Sequence, residues 1–390
     1  MSRRRGLAGV LLAMMVTAAP AAVVGSTSAG APLAAIAGEQ AIGPGTTLMR
    51  VREPARGDAT EAFVIRVDLS DPGVRAGLLY PGQIAAVQPL STMARSAGAF
   101  AAVNGDFFNI GRSGAPVGPV VSGGQLVKGP ERDRELVAGV GTDGVGRIAD
   151  VWLQGEITLP GGATRALSVL NDAAVGPQPM LGPNGIALFT DRWGAYSLTG
   201  AVRGLHHVTE VLVTHGRVRG VRHVPGRGPI PAGGDVLLGA GSGGRVLARL
   251  HLGQPVTVAY RQGTDAKVPF RFAIGGKYLL LDDGHVPPGI PGGSGKPRTA
   301  IGFADHGHEL FLTVTAGQQP GIPGLSLPEE AGFLRSLGVA SAVALDDGGS
   351  STMVARLRPR GPLQLINEPS DGAEREVANG VGVFDAVHGR

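Results

Sequence analysis

Seven consecutive residues, Asp346-Asp347-Gly348-Gly349-Ser350-Ser351-Thr352, gather two carboxylates, two glycines and three hydroxyls where an apolar run gives way to a loop. Paired carboxylates can divide acid–base or nucleophilic work between them. Glycines let the backbone approach a ligand, and N–H groups exposed in such a turn can bind phosphate oxygens. An ordinary acidic turn with capping hydroxyls would use the same residues, yet loops borne on rigid strands host sites disproportionately. A second group, Asn104-Gly105-Asp106-Phe107-Phe108, offers an amide, a carboxylate and two aromatic rings. Its rings can stack on sugars and its polar groups can bind hydroxyls. The structural alternative is two core phenylalanines beside an Asn-Gly turn.

Single residues add to these groups. Arg298, just before Thr299, carries a planar fork that suits phosphate, and Arg375 within SDGAEREVANG can do the same. Asn379 precedes Gly380 and an apolar run in a similar way. A lone loop arginine is more often a solvated charge. Other signals are weak. The nine histidines lack HExxH spacing, and His306-Gly307-His308 and His206-His207 fit turns better than metal sites. Gly239 to Gly244 lacks the Lys-Ser/Thr ending of a nucleotide loop and follows no clear strand-to-helix unit, so a turn is expected. Asp282-Asp283-Gly284 reads as a hairpin tip rather than a calcium loop. No cofactor is required by these patterns, although the acidic loops admit a divalent cation such as calcium.

The elements that must position these residues follow from periodicity. Phe63, Ile65, Val67 and Leu69 alternate into a half-buried strand that ends at Asp-Pro-Gly. Leu90, Met93, Ala94 and Ala97 share one helical face over 89–98, with Gly98 as the stop and a short apolar strand after it. The grammar returns later. Ser326-Leu327-Pro328-Glu329 predicts a capping box, Gly338 a stop, and Val339 to Leu345 a buried strand that delivers Asp346. Further strands are expected at 208–213, 256–260, 272–276, 277–284, 300–303 and 309–315, with Asp305 to His308 as a hairpin tip. The fold class is therefore α+β, a large, mixed, strand-rich sheet with a few flanking helices. Residues 37–60 read as an irregular lead-in, and 150–260 as a candidate strand-rich lobe.

Bulk properties narrow the classes. Arg3, Arg4 and Arg5, the apolar run from Leu7 to Val24 and the small residues beyond it match a secretory signal peptide, assigned to residues 1–36. The remaining chain is expected to be exported and soluble, without a membrane span. Without those three arginines the formal charge of +4 falls to +1, too small for a general nucleic-acid binder. The absence of cysteine excludes disulfides, thiolate metal sites and cysteine nucleophiles. The 65 glycines and 29 prolines would suggest disorder, but 43% apolar residues in long runs instead imply turns between many strands.

Taken in order, AAVNGDFF (101–108), FAIGG followed by DDG (272–284), PRTAIGF (297–303), GLSLPEEAGFLRSLGVASAVALDDGGSSTMV (324–354) and REVANGVGVF (375–384) resemble the phosphodiester glycosidases. That family includes N-acetylglucosamine-1-phosphodiester α-N-acetylglucosaminidase. The resemblance runs from about residue 60 onward and is densest in the last 120 residues, which implies a phosphodiester glycosidase domain over 61–390. It implies hydrolysis of a sugar-1-phosphodiester, of N-acetylglucosamine type, to free sugar and phosphate monoester. Asp346 would be base or nucleophile, and Asp106 or Asp347 the second carboxylate. Arg298 and Arg375 would hold phosphate, with Thr299, Gly348, Gly349, Ser350 and Ser351 around it and Asn104 and Asn379 on the sugar. Export suggests a cell-wall polymer such as wall teichoic acid as the substrate. Two departures stand out: Leu345-Asp346-Asp347-Gly348-Gly349-Ser350 replaces the family's Leu-Asp-Gly-Gly-Gly-Ser, and Ala316-Gly317-Gln318 stands where Asp-Gly-Arg is usual. The second departure favours a rival, a non-catalytic cell-wall or sugar-phosphate binding protein. A metal-dependent phosphodiesterase is the other.

Overall fold

Phe63, Ile65 and Val67 point to one side of the strand Asp58–Asp68, and Ala62 and Val64 to the other. Both sides are covered, so this strand is fully buried along its middle rather than half-buried. The reason is layering. In the computed structural model, which describes residues 35–55, 58–173, 178–226 and 228–386, the strand lies inside a seven-stranded antiparallel sheet. Its order is Ala35–Gly43, Thr46–Ala55, Asp58–Asp68, Glu309–Thr315, Arg298–Ala304, Ser341–Ala344 and Tyr278–Leu281. One face packs Ile65, Val67, Leu312 and Val343 onto Ala101, Val103, Met353 and Val381 of a five-stranded sheet. The other face packs Val64, Ala300 and Ala342 onto Leu327, Ala331 and Leu334 of the helix Leu327–Ser336.

The five-stranded sheet runs Leu363–Leu365, Met353–Arg356, Ala101–Asn104, Gly380–Asp385 and Val74–Leu79, again antiparallel. Its outer face carries the helix Leu90–Ala97 through Leu90, Met93 and Ala94. The layers are thus helix, sheet, sheet, helix. Both helices obey their sequence signals. Gly98 caps the first at φ 77°. At the second, the Ser326 side chain accepts from Glu329 N–H while Glu329 returns a bond to Ser326 N–H. Fully buried aliphatic residues on both inner faces make the two-sheet core the main stabiliser, each side chain contributing roughly 1.5–3 kcal/mol.

The α+β class holds, with strands shared among several sheets. Residues 37–60 are not an irregular lead-in, because Ala35–Gly43 and Thr46–Ala55 are paired strands. Met49 and Val51 bury against the helix-facing core, a gain only tertiary pairing can realise. The proposed leader lies outside the described residues, apart from Ala35 and Ile36, which pair with Arg52 and Val51. Within 150–260, Val169–Leu170, Ile186–Thr190, Gly234–Gly239, Thr209–Thr214 and Arg217–Arg222 form their own five-stranded sheet. The flanking strands Gly146–Thr158 and Thr257–Thr264 pair with each other in a neighbouring sheet that also holds Leu136–Gly141 and Phe270–Gly275.

Gly239 to Gly244 is not a turn. It leads from the strand Gly234–Gly239 into the helix Gly241–Leu247. The glycines are required by close approach, because a Cβ on Gly243 or Gly244 would overlap the carbonyl oxygen of Gly185 or His207. Among the described residues no helix is long and apolar enough to cross a membrane.

Candidate active site

The two acidic loops meet at one end of the two inner sheets. Asp346 N–H donates to Gly105 O (2.8 Å), Leu345 N–H to Thr299 O (2.8 Å), Gly105 N–H to Asn379 O (3.0 Å) and Asn104 N–H to Thr352 O (3.1 Å). Four stretches far apart in the chain are thereby fastened by backbone alone. Asn104, fully buried, reinforces the joint. Its Nδ2 donates to Asp346 O (2.9 Å), and its Oδ1 accepts from Thr352 N–H (3.0 Å) and lies 2.8 Å from Thr299 Oγ1. Thr299 Oγ1 is also 3.2 Å from Ser351 Oγ. Asn104 and Thr299 therefore act first as the frame of the site.

Asp106 sits in a tight cradle. Its N–H donates to Asn379 Oδ1 (2.9 Å) and its Oδ2 accepts from Gly118 N–H (2.6 Å). Gly118 and Gly275 must lack side chains here, since a Cβ on either would come within 2.9 and 2.5 Å of Oδ2. Burial pushes this carboxyl up to about 7. Asp346 and Glu131 push the same way, and Gly118 N–H and Lys128 oppose. Asp346 is raised less, to about 6, because the Ser350 hydroxyl, Asp347 N–H (3.1 Å from Oδ1) and Arg375 offset its burial while Asp347 adds to it. The two loops thus hold two carboxyls at different proton affinities, a division that suits separate acid and base roles.

Asp347 has a different environment. It accepts from Arg298 Nη1 (2.6 Å) and Lys296 Nζ (3.3 Å). The Arg298 fork, expected to face phosphate, is instead directed inward, with Nε on Leu325 O (2.8 Å) and Nη2 on Ser294 O (3.1 Å). Behind it lies Glu330, fully buried with neither carboxyl oxygen partnered. Burial pushes Glu330 up to about 8, Arg298 opposing and Asp347 adding. Arg375 is placed differently. Nε and Nη2 rest on Asp371 Oδ2 (2.9 and 2.6 Å) while Nη1 reaches Ser350 Oγ (3.3 Å). Gly349 lies under this pair, where a Cβ would overlap both Arg375 and Asp371. Gly348 takes φ 65°, a turn open to glycine. The Nδ2 of Asn379 and the Oγ1 of Thr352 are buried without a partner.

Arg375 and Phe108 also border a cleft of about 530 Å³, with Val87, Ile110 and Gly114 on its walls. Phe107 turns elsewhere, beneath Lys277 Nζ at 4.7 Å from its ring centre. A larger cleft, about 630 Å³, lies apart from the carboxyl pair around Asp150, Asp282 and Asp305. Asp282 to His285 forms the expected tight turn there, Asp283 at φ 46°. Among the described residues no three His, Asp or Glu side chains converge as metal ligands. Sequence reasoning missed Gly118, Lys128, Asp371 and Asn367; Asn367 accepts from Met353 N–H (2.7 Å) and donates to Ser351 O (2.9 Å). Only Lys128 left a trace in the sequence, a charge directly after the apolar pair Leu126-Val127.

Fold and site together define an α+β protein of several sheets, with a carboxyl pair at the strand ends of the two that pack face to face. The family model described as phosphodiester glycosidase matches residues 208–384. The matched stretch holds Arg298, Asp346, Arg375 and Asn379, while Asn104 and Asp106 lie outside it. Among solved structures, a hypothetical protein from Synechocystis is similar at 23% identity and TM-score 0.69, over 87% of this chain and 62% of that one. This chain therefore spans less than two thirds of that relative. A candidate exported protein from Burkholderia pseudomallei is similar at 23% identity and TM-score 0.66, over 84% of this chain and 74% of that one. Both likenesses concern the fold. The zebrafish N-acetylglucosamine-1-phosphodiester α-N-acetylglucosaminidase catalytic domain, auto-inhibited by its pro-peptide, aligns at 15% identity and TM-score 0.48, over 90% and 87% of the two chains. No curated protein matches the chain.

Proposed function

We propose that this protein hydrolyses a sugar-1-phosphodiester outside the cytoplasm, releasing free sugar and a phosphate monoester. The observation that carries the reading is the buried carboxyl pair held at about 7 and about 6 beside Arg375 and the unpartnered Asn379 Nδ2. Asp346, the less raised of the two, takes the ionised role and Asp106, the more deeply buried, the protonated one. Asp346 then serves the anomeric carbon, as nucleophile or as base for water, while the C1–O bond to phosphate breaks through an oxocarbenium-like state. The bonding electrons leave with the phosphate oxygen. That oxygen is already stable as an anion, so the Asp106 proton assists rather than drives its departure. Arg375 and the Gly348–Ser350 turn provide the cationic and hydrogen-bonding side for phosphate. Asp347, bound by Arg298 and Lys296, orients the loop. Asn379 Nδ2 is the donor available to the sugar. The cleft bordered by Phe108 and Arg375 gives the group esterified to phosphate a path to solvent.

One observation favours the rival of a non-catalytic binding protein. The loop lacking the usual Asp and Arg lies beside the site, Gln318 Oε1 being 3.8 Å from where a Cβ of Gly348 would stand. Incubation with UDP-N-acetylglucosamine and a simple α-N-acetylglucosamine-1-phosphodiester separates the readings. Free sugar from the wild type, lost by at least ~10³-fold in Asp346→Asn, supports the glycosidase. Sugar-1-phosphate as product means cleavage at phosphorus, and its loss with chelator points to a metal-dependent phosphodiesterase. Binding without turnover returns the rival.

A further inference from the structure

Lys128 closes the strand Gln125–Lys128 and is completely buried. Its ammonium donates to Gly129 O at 2.8 Å and Val117 O at 3.2 Å, and Asp172 Oδ2 stands 2.6 Å away as its ion-pair partner. Asp172 is buried as deeply. Replacing a buried pair of this kind by apolar residues is often neutral or stabilising, so core stability alone is a weak reason for it. Its surroundings offer a better one. Val117 O and Gly118 N–H belong to one peptide unit. The oxygen end accepts from Lys128, and the N–H end donates to Asp106 Oδ2 at 2.6 Å. Glu131 N–H also holds Val117 O, at 3.0 Å. The ammonium and the Asp106 carboxyl therefore stand at opposite ends of a single pinned dipole.

We propose that Lys128, with Asp172 as its counterion, is a positioning residue of the candidate site, aligning the Val117–Gly118 peptide so that Gly118 N–H holds Asp106 Oδ2. The proposal rests on the reading of Asp106 as the acid of the pair. The device acts on charge as well as on place. Lys128 and Gly118 N–H favour the ionised carboxylate, whereas Asp346, Glu131 and burial disfavour it. Asp172 moderates the lysine in turn, so the two partners act on Asp106 with opposite sign. A purely structural ion pair would show no such opposition, since losing either member would loosen the same packing.

The test follows the Asp106 carboxyl directly, by carbon NMR of protein labelled at the aspartate side chains, its signal identified by its loss in Asp106→Asn. No turnover is needed, so a failed glycosidase assay and a failed relay are distinguishable. The wild-type midpoint is expected near 7. It should rise by about one pH unit in Lys128→Met and fall by a similar amount in Asp172→Asn, as expected for a nearby charge removed or left uncompensated. Where a single variant does not fold, Lys128→Met with Asp172→Leu removes both charges at similar volume, and an upward shift of the midpoint is expected. Midpoints that stay within about 0.3 units of wild type, or that move together in the two single variants, overturn the proposal.

Discussion

Two helix–glycine–strand units, Leu90–Ala97 with Ala101–Asn104 and Leu327–Ser336 with Ser341–Ala344, deliver acidic loops to the same end of the molecule. Each leaves its helix through a left-handed glycine, Gly98 or Gly338. The carboxyls they deliver differ in the donors they meet. Asp106 has one backbone N–H and two glycines pressed against it, and it keeps its proton to about 7. Asp346 has a hydroxyl, a backbone N–H and Arg375 nearby, and burial raises it less, to about 6. Similar local units thus give unlike chemistry, because the partners come from elsewhere in the chain.

The largest effect that would sharpen this contrast is in turnover against pH. Activity should fall below about 6 as Asp346 gains its proton, and above about 7 as Asp106 loses its own. Asp106→Asn should lose the alkaline limb and about 10²-fold or less in rate, a smaller loss than in Asp346→Asn because the leaving phosphate needs little protonation. Equal losses in the two variants would break the division of roles. A milder effect is expected at Gly349→Ala. The added methyl displaces the Arg375–Asp371 pair, so KM for a phosphodiester should rise by about tenfold while far-ultraviolet dichroism is unchanged. An unaltered KM would remove Arg375 from the phosphate side.

The smallest effect is on stability and concerns the second unit alone. The folded state holds Glu330 protonated up to about 8, well above its ordinary 4.5, whereas the unfolded chain releases that proton near 4.5. Folding stability from this group therefore declines as pH rises from about 4.5 to 8 and is level above. Glu330→Gln removes the slope. Thermal denaturation at pH 5 and pH 8 should show the variant gaining on wild type by a few degrees at the higher pH, since about three pH units of linkage amount to roughly 4 kcal/mol. The first unit has no buried acid on its helix, Leu90–Ala97, and serves as the control.

What was legible in the sequence was local. Gly98, the Ser326–Glu329 capping box and the strand into Asp346 are each set within a few residues, and each appears where periodicity put it. The strands Ala35–Gly43 and Thr46–Ala55 were not, because glycines and charges interrupt their alternation and only pairing across the sheet makes them strands. In the site, the sequence marked Asp346, Asp106 and Arg375 by residue type. It could not mark which way Arg298 turns, because that depends on Leu325 O and Asp347, 27 and 49 positions away. Nor could residue type show that Lys296 and Arg298 bind Asp347 and not its neighbour Asp346.

The strand Gly380–Asp385 lies between Ala101–Asn104 and Val74–Leu79, and Asn379 just before it fastens Gly105 and Asp106. An interior position in the five-stranded sheet is thus filled by a segment made nearly three hundred residues after its neighbours. Closing so long a loop is slow, since its entropy is lost before the contacts repay it. During synthesis, then, a nascent chain that has not reached residue 379 carries both carboxylates but lacks the Asn379 side chain that holds Asp106 N–H. The cradle of Asp106 is thus completed in one late step, when the strand Gly380–Asp385 takes its place beside Ala101–Asn104.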